Sequence, residues 1–153
     1  PLQNKNIPLY VRPFGDKRKP GTVIRGMSAP VDVPILILKK DQVLLTIRSR
    51  DFSFVLEEKF ATIFSLLERF RVKTNLIHNS AVNLSLCVDN SWHIDEAVGA
   101  LREAGFDVMK AERMELLTVR GYTPELWRRY SSGPQVFVRQ ATQATVRIVR
   151  KRE

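Results

Sequence analysis

From Val43 onward the hydrophobic period of this chain changes in a fixed order, and that order limits the folds open to it. Val43-Leu44-Leu45-Thr46-Ile47 reads as a strand. From about Leu56 to Phe70 the apolar residues Leu56, Phe60, Ile63, Phe64, Leu67 and Phe70 recur at spacings of three and four. That is the period of a helix with one buried face. Two short strands then flank a polar knot, His78-Asn79-Ser80, and strict alternation resumes at Val82, Leu84, Leu86 and Val88. Ser91 reads as the N-cap of a second helix, with Asp95 and Glu96 in its first turn and Gly105 just past its end. A long extended stretch runs from about Asp107 to Val119.

Strand, helix, strand, strand, helix, strand is the ferredoxin-like order. A second set follows. Its strand runs over 114–120, and Thr123-Pro124-Glu125 then supplies N-cap, N1 proline and first-turn acid for a short helix carrying Leu126, Trp127 and Tyr130. Two final strands lie at Val136-Phe137-Val138 and Val146-Arg147-Ile148-Val149. This set lacks one strand. The apolar run Pro34-Ile35-Leu36-Ile37-Leu38 reads as a buried strand with no other obvious partner, separated from Val43 by Lys39-Lys40-Asp41-Gln42. The expected fold class is therefore α+β, two ferredoxin-like (βαββαβ) units with interleaved strands. Ahead of them, Pro8-Leu9-Tyr10-Val11 and Gly21-Thr22-Val23-Ile24 predict a small hairpin, and Gly26 to Pro30 a linker.

A chain of 153 residues with 44% hydrophobic content can bury a core. No apolar run approaches the roughly 20 residues needed to cross a bilayer. The polar start, Pro1-Leu2-Gln3-Asn4-Lys5-Asn6, lacks a secretory pattern and an initiator Met, so a cytoplasmic piece of a longer protein is expected. The net charge of +9 suits acidic partners, but the basic residues are dispersed outside Lys17-Arg18-Lys19 and Arg150-Lys151-Arg152. A solvated surface explains most of them.

Few residues carry the marks of catalysis. Cys87 sits on a strand, where a buried inert thiol is the expected reading. His78 and His93 are isolated, and with one distant cysteine they make no metal site. Glu57-Glu58 reads as a complement to a helix dipole, since neighbours in sequence point apart on a helix. Trp127 and Tyr130 fit a core or a dimer contact. The knot His78-Asn79-Ser80 brings short hydrogen-bonding side chains to a strand junction, where an ordinary turn is the simpler reading and recognition of a small polar molecule the sharper one.

Three features resemble the C-terminal regulatory region of aspartokinases. Asn6-Ile7-Pro8-Leu9-Tyr10-Val11-Arg12, followed by Pro20-Gly21-Thr22-Val23-Ile24, is similar to the end of that family's catalytic domain. The helix over 56–70 resembles the first helix of its ACT unit. The segment Asn75 to Ser85 resembles the family's run of Asp, apolar residues, Thr-Ser-Glu, then alternating Val and Ser. Together they span nearly the whole chain.

The resemblance implies a regulatory fragment of an enzyme that transfers the ATP γ-phosphoryl group to aspartate, the first step toward lysine, threonine and methionine. Residues 1–30 would end the kinase domain, 43–113 would form the first ACT unit, and 31–42 with 114–153 the second. ATP and magnesium would serve the full-length enzyme, with no catalytic residue in this chain. An amino-acid effector, lysine or threonine, would bind at a homodimer interface between ACT units. The matching positions are Ser53, Phe60, Asn75 and Ser80, and Asp16 matches a place near the ATP edge. The pattern departs from the family's at Asn75 and Ala81, where lysine-sensing members carry Asp and Glu. Either another amino acid is sensed or Glu57 and Glu58 substitute.

A basic RRM-like module for nucleic acid is the competing reading, because the element order is the same. The corresponding strand, Val82-Asn83-Leu84-Ser85-Leu86-Cys87-Val88, has neither the aromatic residues nor the glycine that an RRM needs. The expectation is therefore no nucleic acid and no membrane among the partners.

Overall fold

Strand β1 (Leu9–Val11) pairs antiparallel with β2 (Thr22–Ile24), Leu9 lying opposite Ile24 and Val11 opposite Thr22. Gly21 makes the return possible. Its φ is +71°, and a Cβ there would lie 2.3 Å from the Val11 carbonyl oxygen. The computed structural model describes residues 2–16, 18–26, 33–50, 57–80 and 82–152. These divide into two units, Pro1–Asp32, which holds the hairpin, and Val33–Glu153.

The larger unit is built on two strands of 15 residues, β3 (Ile35–Ser49) and β6 (Phe106–Arg120), which pair antiparallel along nearly their whole length. The remaining elements are helix α1 (Glu57–Arg69), β4 (Thr74–Asn79), β5 (Leu84–Asp89), α2 (Ile94–Glu103), α3 (Pro124–Ser131), β7 (Val136–Ala141) and β8 (Thr145–Lys151). The six strands form one sheet in the order β4-β5-β3-β6-β8-β7. The C-terminal half of β3 and the N-terminal half of β6 complete a ferredoxin-like unit with β4 and β5. The other halves complete a second with β7 and β8. The interleaving expected from the missing strand is present: Ile35 to Lys39 pair with Leu116 to Arg120.

Three apolar clusters hold this sheet. Val43, Leu45, Ile47, Leu84, Leu86 and Val88 meet α1 and α2 through Ile63, Leu67, Ile94 and Leu101, all buried. Leu117, Val119, Val146 and Ile148 meet α3 through Leu126, Trp127 and Tyr130. The third cluster, Leu44, Leu76, Cys87, Met114, Leu116, Val138 and Val149, lies on the sheet face away from the helices. Residues from both units bury this face together, so the sheet curls on itself. Each fully buried aliphatic side chain contributes about 1.5–3 kcal/mol. Two cross-links reach β4 across the curl, from β7 and from β8: Gln140 Nε2 donates to the Ile77 carbonyl, and Arg147 Nη2 donates to the Asn75 carbonyl at 2.7 Å.

The structure corrects three readings. Residues 35–47 are one strand rather than two. Lys39-Lys40-Asp41-Gln42 is a bulge within it, with Asp41 at φ +55°, and β6 bulges opposite with Arg113 at φ +58°. The run Ile35-Leu36-Ile37-Leu38 is not buried; the four side chains are 43–50% exposed. Among the described residues the second unit carries one helix, α3. Ser91 is not the side-chain cap of α2, which starts after His93 with no side-chain cap, and the Ser91 carbonyl accepts from Ile94 N instead. Thr123 caps α3 as expected, its hydroxyl accepting from Leu126 N at 3.4 Å. No helix among the described residues is long and apolar enough to cross a membrane.

Candidate functional site

Asn75 is the extra residue of a bulge in β4. The register passes from Thr74 opposite Val88 to Leu76 opposite Cys87, so two steps on β4 match one on β5. Bulges re-aim side chains, and this one turns the Asn75 amide toward the curled face of the sheet. There it meets Gln42, the polar residue left between two apolar runs of β3 and only 1% exposed.

Every hydrogen-bonding group of the Asn75 side chain is engaged. Its Nδ2 donates to Gln42 Oε1 at 2.8 Å and to Asp89 Oδ1 at 2.7 Å. Its Oδ1 accepts from Lys39 Nζ at 2.8 Å. Lys39 Nζ also lies 2.6 Å from Asp89 Oδ1, and Gln42 Nε2 donates to the same oxygen at 3.0 Å. Burial opposes ionisation of Asp89, but the hydrogen bonds from Lys39, Gln42 and Asn75 outweigh it and hold its carboxyl down at about 2. The ammonium and carboxylate thus form a satisfied pair, and an unpaired charge here would be costly.

Cys87 points into the same cluster, with Sγ 3.6 Å from Gln42 Oε1. Burial pushes its thiol up to about 11. It is a protonated, inert core thiol, as its place on a strand implied.

The other candidates stand apart from Asn75. Ser80 lies past the end of β4, about 17 Å along the chain at the rise of a strand. Its hydroxyl donates to the Asn83 carbonyl at 3.1 Å and accepts from Asn83 N at 3.2 Å, closing the turn into β5. Asn83 Oδ1 in this turn is enclosed and has no hydrogen-bond partner among the described residues. Phe60 lies on α1, its ring against the helix-side core and 6.4 Å from that of Phe64. That is the sheet face opposite the Asn75 amide. Asp16 closes a turn in the hairpin loop by accepting from Arg18 N at 3.1 Å. Ser53 and Ala81 lie outside the described residues, as do the side chains of Glu57 and Glu58. Within one chain, then, the structure gathers no two of Phe60, Asn75 and Ser80 into a single pocket.

Sequence reasoning missed the partners of Asn75. Lys39 and Gln42 stood in a segment read as an interruption, and Asp89 lay just past the alternation that ends at Val88. The available signal was Gln42, a polar residue aligned with the inward side of an apolar alternation. Among the described residues no group of three or more metal-ligating side chains occurs.

No family model matches the sequence, and no curated protein matches it significantly. Solved structures do. Aspartate kinase from Clostridium acetobutylicum superposes with a TM-score of 0.77 at 14% identity, over 98% of this chain and 39% of that one. Escherichia coli aspartokinase III in complex with lysine and aspartate gives 0.67 at 21% identity, over 97% and 36%. The ligand-free regulatory subunit of aspartate kinase from Thermus thermophilus gives 0.57 at 14% identity, over 76% and 86%. The chain thus spans well under half of the full-length enzymes it matches. At these identities the likeness establishes the fold, which is that of aspartate kinase regulatory regions. The resemblance drawn from the residues holds at that level.

Proposed function

We propose that this chain is the regulatory region of an aspartate kinase, and that its ACT units bind an amino-acid effector where two copies pair. The observation that carries the reading is the sharing of β3 and β6 between two ferredoxin-like units, with a hairpin placed ahead of them in the chain. The match to full-length enzymes covers 97–98% of this chain, against 76% for an isolated regulatory subunit. That difference supports assigning residues 1–30 to the end of a kinase domain. Residues 43–113 then form the first ACT unit, and 31–42 with 114–153 the second.

On this reading, phosphoryl transfer to aspartate, with ATP and magnesium, belongs to a kinase domain on the same polypeptide. Effector binding favours one arrangement of the paired units. Coupling of this kind is typically about 1–3 kcal/mol. The effector positions are Ser53, Phe60, Asn75 and Ser80, distributed between the two copies. A shared site is consistent with their separation within one chain.

The nucleic-acid reading has less support. The sheet face that would stack bases carries Leu44, Leu76, Cys87 and Met114, all buried under the curl.

Thermal shift of the purified chain against lysine, threonine, methionine and aspartate tests the proposal. A saturable rise in melting temperature with one of them, accompanied by dimer formation in sedimentation, is expected. A strict monomer indifferent to all four at millimolar concentration contradicts it.

A further inference from the structure

We infer that Lys39 is a tethered cation filling the position a cationic effector's side-chain ammonium would otherwise take, so that this site selects against lysine and other amino acids with charged side chains of the same sign. The inference rests on the effector reading of Asn75 and specifies the ligand class.

The geometry is that of an occupied cation site. Lys39 Nζ contacts Asn75 Oδ1 at 2.8 Å and Asp89 Oδ1 at 2.6 Å, two acceptors suited to an ammonium. Both reach the spot from outside β3: Asn75 from the bulge of β4, and Asp89 from the end of β5. Lys39 arrives from β3, at the edge of the bulge that Asp41 turns. A second cation lies close by. Arg147 donates to the Asn75 carbonyl at 2.7 Å and acts electrostatically on Cys87, as Lys39 and Asp89 also do. These three charges, two positive and one negative, leave an excess positive charge around the amide. A carboxylate at position 75 would balance it, and this chain has the neutral amide instead.

A ligand's side-chain ammonium must therefore displace one already attached. A group tethered by a short flexible stem competes at an effective concentration in the millimolar range or above. Its presence weakens an incoming cation by roughly tenfold or more, while a neutral side chain has no such competitor. The effector class that fits is a neutral or acidic amino acid.

Calorimetric titration of the full chain with L-lysine and with L-norleucine, its uncharged counterpart of similar length, tests this. Lys39→Met is expected to raise the lysine-to-norleucine affinity ratio about tenfold or more, and Lys39→Arg to leave it near the wild-type value. Lys39→Gln, which also removes the charge but keeps a polar group beside Asn75 and Asp89, is expected to move the ratio the same way, so the test survives if Lys39→Met fails to fold. A ratio unchanged in both Lys39→Met and Lys39→Gln overturns the inference and leaves the effector reading standing, as does wild-type lysine binding as tight as that of the charge-removed variants. Failure of every form to bind any amino acid overturns both.

Discussion

Arg147 on β8 donates to the main-chain carbonyl of Asn75 on β4, strands separated by three others in the order of the sheet. This bond crosses the curled face, and Gln140 makes the same crossing to Ile77 one strand farther out. The two ferredoxin-like units are thus joined twice: along β3 and β6, and again where the curl brings their far strands together. A bond to a charged donor contributes about 1.5–3 kcal/mol. Arg147→Met, which keeps the aliphatic stem, is expected to lower unfolding free energy by about 1–2 kcal/mol in urea titration. Gln140→Ala is expected to cost less, about 0.5–1 kcal/mol, because its donor is neutral.

Asp89 makes stability depend on acid. Its folded carboxyl titrates at about 2 against an ordinary value of 3.8. The unfolded chain therefore binds the proton first as pH falls. The contribution is fully present above about pH 4 and disappears as pH falls through about 2. With Asp89 about one-third exposed, screening reduces it to about 1–2 kcal/mol. Urea midpoints measured from pH 6 to pH 2.5 should fall more steeply for wild type than for Asp89→Asn.

Cys87 gives the opposite dependence. Its thiol is pushed up to about 11 by burial, from 9.0. The unfolded chain loses that proton first, so stability declines as pH rises from about 9 toward 11. Native protein at pH 8 is expected to resist a thiol reagent and to react fully in urea. Stoichiometric labelling of the native chain within minutes would show that the cluster opens.

Asp41 and Arg113 hold left-handed backbone conformations at facing bulges, which costs an L-residue roughly 1 kcal/mol. Asp41 has compensation: its Oδ1 accepts from Asn90 Nδ2 at 2.9 Å. Arg113 is therefore the better place for glycine. Arg113→Gly is expected to raise stability by about 0.5–1 kcal/mol, while Asp41→Gly is near neutral. Thermal melts of the two variants compare them directly.

Much of this fold was legible because its elements have clean periods. The three-and-four spacing from Phe60 to Phe70 placed α1, and Thr123-Pro124 placed the start of α3. The missing strand of the second unit was found by elimination, since Ile35 to Leu38 had nowhere else to go. The continuity of β3 was hidden, because a bulge built from Lys39, Lys40, Asp41 and Gln42 has the composition of a loop. The exposure of Ile35 to Leu38 was hidden too; an apolar run does not say whether a helix will cover it. The site was less legible than the fold. Ser80 proved to close a turn, the simpler of the two readings of its segment. Asn75 acquired its partners from residues 39, 42 and 89, which only the sheet register brings together.

The regulatory reading requires this module to bind a free amino acid through β4 and the turn after it. Backbone amide shift mapping by NMR, titrating aspartate-derived amino acids into the labelled chain, locates such binding residue by residue. Saturable shifts concentrated on residues 74–80 and 82–83 are expected for a neutral or acidic amino acid. Shifts confined elsewhere, or none with any amino acid at ten millimolar, would contradict it.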